Sequence, residues 1–450
     1  MSGMDGMDRR LRDLLDAAVG EPPHQVSLAA LRRRVIRRRT VECVTGAAAV
    51  AAAAVLIPMG IGAARHAARP DGGQWPGRWP TVYAVYDLSQ GNSSKSLGST
   101  VTPISTARNR AGHPVKVGAG PIGTPGGQIA ITPDGKTAYV VNSSGGTIIP
   151  VSTAHNRAAK PIYIGRCRPL GPDFIAITPN GKTAYVANLC ANTVIPVSTA
   201  TNTPGRPIHV GSSPAWIAIT PNGRTAYVAN ESRPGTVTPI DTATNTAGPP
   251  VHVSEDPFDI AITPDGKTAY VLGRTASKHS RSVVTPINTV TNQPGQPVYL
   301  QGIGGAGYIA ITPNGKTAYV STDRPSTVVP ISTATNTAGK PIEFNGPDNP
   351  GGGQIVITPD GRLGFVLAGT DTVHPFDARY QLPGPPIRLK AGCQTTLLAS
   401  PELSMAVTPD GKTIYVACEG AVVPVSTAGN VPGKPIHVAL GYPMGIAIKP

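Results

Sequence analysis

Aromatic residues make up only 5% of this 450-residue chain, and charged residues only 14%. That scarcity excludes a nucleic-acid module, which interleaves rings with basic side chains. There are five cysteines and none stands in a C-x-x-C spacing, which argues against a zinc centre. No Ser, His and Asp fall at a spacing that assembles a hydrolytic triad. Gly (52) and Pro (48), by contrast, are abundant. Without a period such content signals disorder. Here it has one.

The period is carried by ITPDGKTAYV, Ile131 to Val140, which returns from Ile177, Ile219, Ile262 and Ile311. Looser copies start at Ile357 and Val407, and a last one breaks off at Ile446 to Pro450. The steps run from 41 to 50 residues, the length of one four-stranded propeller blade. Each unit reads as four strands, for example IAIT, TAYVAN, TVIPVST (Thr193 to Thr199) and RPIHVG (Arg206 to Gly211). In the first turn Pro presets φ, Asp or Asn follows, and Gly supplies the positive φ that closes the hairpin. The first strand is almost wholly apolar, as in Ile217, Ala218 and Ile219, which suits a strand buried on both faces. Tyr83 to Tyr86, Ser99 to Thr106 and His113 to Gly118 supply a unit lacking its first strand, and Gly445 to Lys449 is a first strand lacking the rest. Joined, they close the ring with the two ends in one sheet. The expected fold is therefore all-β, a propeller of eight blades, or seven if one divergent unit is not a blade.

The repeats YVVN at Tyr139 and YVAN at Tyr185 and Tyr227, with TVTPIDTATNT from Thr236 to Thr246, resemble the YVTN-repeat β-propeller family of YncE-like bacterial proteins. The resemblance covers about residues 81 to 450. It implies a propeller used as a binding or surface module, and it names no ligand. YVLG at Tyr270, YVST at Tyr319, FVLA at Phe365 and YVAC at Tyr415 depart from the motif at the end of the second strand, so they concern loop contacts rather than fold.

Residues 1–40 are of another kind, a basic tail with short helical patterns and arginines at 32–34 and 37–39. Next comes the uncharged, Ala-rich stretch Val44 to Ala64 within segment 41–64, long enough to span a bilayer. The basic flank sets the N-terminus inside and the propeller outside. The expectation is a single-pass signal-anchor in the cell membrane, with a secreted protein after signal cleavage as the alternative. Residues 65–80 form a Pro/Gly linker, and the propeller occupies 81–450. The net charge of +14 is spread along the repeats, mostly on the turn lysines Lys136, Lys182, Lys267, Lys316 and Lys412. That pattern is a solvated surface first, and affinity for anionic polymers of the envelope second.

In propeller topology the loop entering strand one and the loop joining strands two and three emerge on the same face. Cys167 and Cys190 occupy these two places in one unit, and Cys393 and Cys418 in another, so two disulfides are expected, consistent with an oxidising exterior. Cys43 is left unpaired. The irregular insertions, such as Gly273 to Ser282 and Lys390 to Ser404, gather on this loop face, whereas the turn face barely varies. The residue before each first strand should ring the channel mouth. Gln128, Phe174, Trp216, Asp259, Tyr308 and Gln354 are the candidate ligand contacts there, followed by Ser404 and Gly445. The competing reading is that the aromatics plug the channel and the polar groups hold water. No catalytic residue, metal or cofactor is assigned. His209, His252 and His437 share one outer-strand position on different blades, too far apart to hold an ion together. The expected function is a non-catalytic, monomeric scaffold for an unknown protein, glycan or small ligand. The alternative is a propeller enzyme of lactonase or lyase type with its site at the channel mouth.

Overall fold

The computed structural model describes residues 81–87, 98–118, 129–143, 145–165, 172–253, 256–275, 281–323, 326–344, 352–368, 371–389, 404–438 and 441–449. They form eight antiparallel sheets that contact one another in ring order, an all-β propeller of eight blades. Blades 1 to 7 begin at Ile129–Ile131, Pro172–Ile177, Pro214–Ile219, Asp259–Ile262, Ala306–Ile311, Ile355–Ile357 and Ser404–Val407. Blade 8 is the composite. Thr81–Asp87 pairs with Tyr442–Ile448, setting Val82 opposite Ile448 and Tyr83 opposite Ala447. Among the described residues no helix is long and apolar enough to cross a membrane. The tail, the span expected over 44–64 and the linker lie outside them.

The alternation of Ile and Ala in the first strand follows from the pairing. Ala130 stands opposite Tyr139, Ala176 opposite Tyr185 and Ala218 opposite Tyr227. The small residue leaves room for the ring beside it, and this face turns to the next blade. The other face is bulky: Ile175, Ile177, Ile195 and Val197 of blade 2 pack on Tyr139 and Ile148 of blade 1. The core is thus a series of layers between neighbouring blades, with each large buried side chain contributing about 1.5–3 kcal/mol.

The turn after the first strand repeats closely. The Thr132 hydroxyl donates to the Asp134 carboxylate at 2.6 Å, and that oxygen accepts the Lys136 N–H at 3.0 Å. Asn180, Asn222 and Asn314 make the same contacts in blades 2, 3 and 5. Gly135 closes the turn at φ 68°. A Cβ on Gly181 would sit 3.2 Å from Pro133 of the preceding blade, and one on Gly223 3.3 Å from Pro179, so the turns pack against each other around the ring.

The outer strand differs from the expected continuous RPIHVG. It comes in two pieces, Thr203–Pro204 and Ile208–His209 in blade 2, both paired with Thr193–Ser198. The cause is the proline in the third strand. The Pro196 carbonyl faces the outer strand and accepts the Gly205 N–H at 2.7 Å, so the donor that Pro196 lacks is missing on that same side. The outer strand therefore bends away between its two pairings.

A second ring ties the blades by side chains. The Tyr139, Tyr185, Tyr227 and Tyr270 hydroxyls each donate to an Asn of the next blade, Asn202, Asn245, Asn292 and Asn336, at 2.6 Å. These asparagines hold positive φ in the turn before the outer strand. Burial pushes the hydroxyls up to about 12, so they stay protonated donors. Tyr83 and Tyr415 complete the pattern with Asn156 and Asn109, and Tyr319 donates to the Ala378 carbonyl. Blade 6 alone carries a phenylalanine, Phe365, and the matching Asn430 Oδ1 of blade 7 has no partner among the described residues. Phe365→Tyr is therefore expected to stabilise the fold by about 1 kcal/mol, read as a higher urea midpoint with unchanged slope. A lower midpoint would show that this interface lacks room for the hydroxyl its counterparts hold.

Candidate functional site

The residues before the first strands take equivalent places in successive blades. Gln128 lies outside the described residues. Phe174, Trp216, Asp259, Tyr308, Gln354 and Ser404 are all buried, none above 7% exposed. A strand in a radial sheet aims its side chains at the neighbouring blades, and these residues do so. Phe174 of blade 2 and Trp216 of blade 3 pack ring on ring, centroids 4.4 Å apart and tilted by 44°. Asp259 Oδ2 of blade 4 accepts the Ile309 N–H of blade 5 at 2.9 Å. Gln354 Oε1 of blade 6 accepts the Met405 N–H of blade 7 at 2.7 Å. The Tyr308 N–H donates to Ser321 Oγ within blade 5 at 3.0 Å. Two ring residues thus clasp the next blade by the backbone of its first strand.

The clasps leave polar atoms over. Asp259 Oδ1, Trp216 Nε1, Gln354 Nε2 and Ser404 Oγ are buried and have no hydrogen-bond partner among the described residues. A buried polar group without a partner costs about 1–3 kcal/mol, so this layer suits bound water or a small polar ligand. Burial pushes the Asp259 carboxyl up to about 8, against the N–H groups of Ile309 and Ile260, which lower it. At neutral pH it is mostly protonated, an acid able to donate. Among the described residues no group of three His, Cys, Asp or Glu is arranged to hold a metal ion.

Above this layer is the loop face. Arg233 pairs with Asp256 at 2.8 Å, next to the cis peptide Arg233–Pro234. The Arg274 guanidinium lies 4.8 Å over the Phe258 ring. Within the insertion from Gly273 to Ser282, Arg274 and Arg281 end the strands Thr268–Arg274 and Arg281–Asn288, whereas Lys278 and His279 lie outside the described residues. Cys190 sits in the turn between second and third strands, whereas Cys418 ends the second strand Thr413–Cys418; Cys43, Cys167 and Cys393 lie outside the described residues. His209, His252 and His437 are solvent-exposed on three separate outer strands. The clasping role of Asp259 and Gln354 was not foreseen. Its only sequence signal was a side chain with an acceptor oxygen at a position otherwise aromatic or small.

No family model and no curated protein matches this chain. Solved structures do, at low identity. Dihydro-heme d1 dehydrogenase NirN in complex with DHE aligns over 85% of this chain and 77% of its own, with 14% identity and a TM-score of 0.61. Apo AztD from Citrobacter koseri aligns over 82% and 97%, with 11% identity and a TM-score of 0.57. Kuenenia stuttgartiensis hydrazine synthase aligns over 70% and 96%, with 21% identity and a TM-score of 0.53. At these identities the likeness is one of fold.

Proposed function

We propose that this chain is a membrane-anchored, extracytoplasmic propeller of YVTN-repeat type that works as a non-catalytic binding scaffold. Its partner is a protein, a glycan or a small ligand taken on the loop face. The observation that carries the reading is the contrast between the two faces. The turn face repeats one set of hydrogen bonds from blade to blade. The loop face instead holds features found on single blades, such as the Arg233–Asp256 pair and Arg274 over Phe258. Anchoring through residues 44–64 rests on the length and apolarity of that stretch. The disulfides Cys167–Cys190 and Cys393–Cys418 belong to the same reading, supported by the matching places that the two pairs take in their units of the sequence.

The test compares the full chain, produced in an oxidising compartment, with a variant carrying Arg233→Ala and residues 274–282 replaced by Asn-Gly, which keeps Gly273 opposite Val283. Both are assayed against panels of envelope glycans and envelope proteins. The parent is expected to bind a partner that the variant loses at least about tenfold, about 1.4 kcal/mol, with an unchanged melting temperature. Equal binding by both would remove these loops from the site. The enzyme reading draws on Asp259, whose raised pKa and unpartnered Oδ1 suit acid–base work. It stands only if turnover of a lactone or related ester is found and disappears in Asp259→Asn.

A further inference from the structure

The positive charge of the propeller is not evenly placed. Blades 1 to 7 each put one cation at the same point of the first turn, the five turn lysines, Arg224 and Arg362, and the composite blade adds Lys449 at the place that Thr132 holds in blade 1. All but Lys449, which is partly covered, are exposed. Together with the turns before the outer strands, this face holds ten Lys and Arg against four Asp among the described residues. The segments joining strands on the loop face hold, by sequence, seven Lys and Arg against seven Asp and Glu. The propeller therefore has a cationic face and one whose charges balance.

Three of the turn cations are also unopposed. Lys136 and Lys267 lie 3.5 and 3.9 Å from the acids of their own turns, Asp134 and Asp265. Lys182, Arg224 and Lys316 stand beside Asn180, Asn222 and Asn314 instead and make no ion pair among the described residues. The asparagine keeps the turn's hydrogen bonds while leaving the cation's field uncancelled.

The chain enters the propeller on this same face. Thr81 begins its strand at the turn end, where its carbonyl accepts the Lys449 N–H at 2.9 Å. Whatever precedes residue 81 in the chain leaves from the cationic face.

We propose that the turn face docks flat on a bilayer surface bearing anionic headgroups. The proposal rests on the anchored reading for its orientation, but the charge and the entry point are independent of it. Equivalent points of a rotational repeat lie in one plane, so the cations form a planar array. Fields in physiological salt fade within about 8 Å, and only a flat partner can come that close to every blade at once. A globular partner would reach a few blades and leave the rest in water. Docking in this pose attracts basic residues to anionic lipid and turns the loop face outward, free for the partner proposed above.

The experiment uses the full chain reconstituted into phosphatidylcholine vesicles, with and without about 30% phosphatidylglycerol. Amines are labelled with a membrane-impermeant reagent and the sites located by mass spectrometry. On anionic vesicles Lys182 and Lys316 are expected to label at least about threefold more slowly, and to recover in 1 M salt. The rim lysines Lys160, Lys340 and Lys434, exposed on outer-strand segments, should label alike on both vesicles. Triple charge reversal, K182E/R224E/K316E, should abolish the protection of Lys136, Lys267 and Lys412. Equal labelling of the turn lysines on the two vesicles overturns the proposal. So does equal protection by a soluble anionic polymer with neutral vesicles, since the partner is then the polymer. Carbonate extraction reports the anchor separately. Protein that washes off although its turn lysines were protected refutes the anchor and keeps the docking. Protein that stays while its lysines label freely keeps the anchor and refutes the docking.

Discussion

Asp259→Asn is expected to be more stable than the parent at pH 8 and nearly equal to it at pH 4. The folded protein holds this carboxyl protonated until about pH 8, whereas an unfolded aspartate ionises near 3.9. Below about pH 4 both states carry the proton, and the group costs nothing. Between the two values the unfolded chain releases its proton and the fold does not. Stability then falls by up to about 1.4 kcal/mol per pH unit. Above about pH 8 the loss is complete. Asparagine keeps an oxygen for the Ile309 N–H and removes the ionisation. Its amide still needs a partner where Asp259 Oδ1 has none among the described residues, which reduces the gain. A net increase of at least about 2 kcal/mol at pH 8 remains. Urea midpoints at pH 4, 6 and 8 measure it. Parallel pH curves for the two proteins would mean that Asp259 is hydrated in solution and that its carboxyl is an ordinary one.

Gly364→Ala is expected to cost about 2–3 kcal/mol, and the cost should largely vanish when Phe376 is changed to Ile as well. Six of the other blades carry Ala or Ile at the Gly364 place and Val or Ile at the Phe376 place, such as Ala226 opposite Ile240. Blade 6 pairs Gly364 with Phe376. A Cβ on Gly364 would fall within 2.0 Å of the Phe376 ring, so the ring occupies the space that alanine fills elsewhere. Phe376→Ile alone leaves a void beside Tyr319 and Phe344 and should cost about 1–3 kcal/mol. The double variant rebuilds the ordinary pair. A thermodynamic cycle checks the coupling, and additive effects would falsify the claim that the two residues exchange volume.

Much of this architecture was legible in the sequence. Turn chemistry is local, so TPDG announced its hairpin wherever it occurred, and the broken copy at Ile446 announced the shared sheet. Contacts between blades were harder, because each residue's partner lies some 60 positions away, as for Tyr185 and Asn245. One such contact can be read within this single chain. A Cβ on Gly118, Gly165 or Gly211 would meet Asn142, Asn188 or Asn230 of the next blade at 2.5, 3.1 or 2.6 Å. Where the segment after the outer strand has Ser254, Gln301, Asn345, Lys390 or Ala439 instead, the next blade has Gly273, Thr322, Ala368, Cys418 or Tyr86 in place of the asparagine. The departures from the YVTN motif therefore follow the loss of glycine one blade earlier. Tyr86 fills the gap from the other side, donating to the Ala421 carbonyl of blade 7 at 2.6 Å. The burial of the ring residues was not legible. Whether a polar side chain faces a channel or a neighbouring backbone depends on how tightly eight sheets close, which no local pattern records.

The seam in blade 8 has a mechanical side. Thr81 and Lys449 lie next to each other, and the two strands run antiparallel from that point. Tension applied between them would part the pairs in succession, as a zip opens, instead of loading every hydrogen bond together in shear. A pull entering at residue 81 alone meets a strand flanked on both sides, by Ser99–Ser105 and Tyr442–Ile448, and so spreads over two partners. The ring is built to bear a tether at one end and is weakest against a load hung between both.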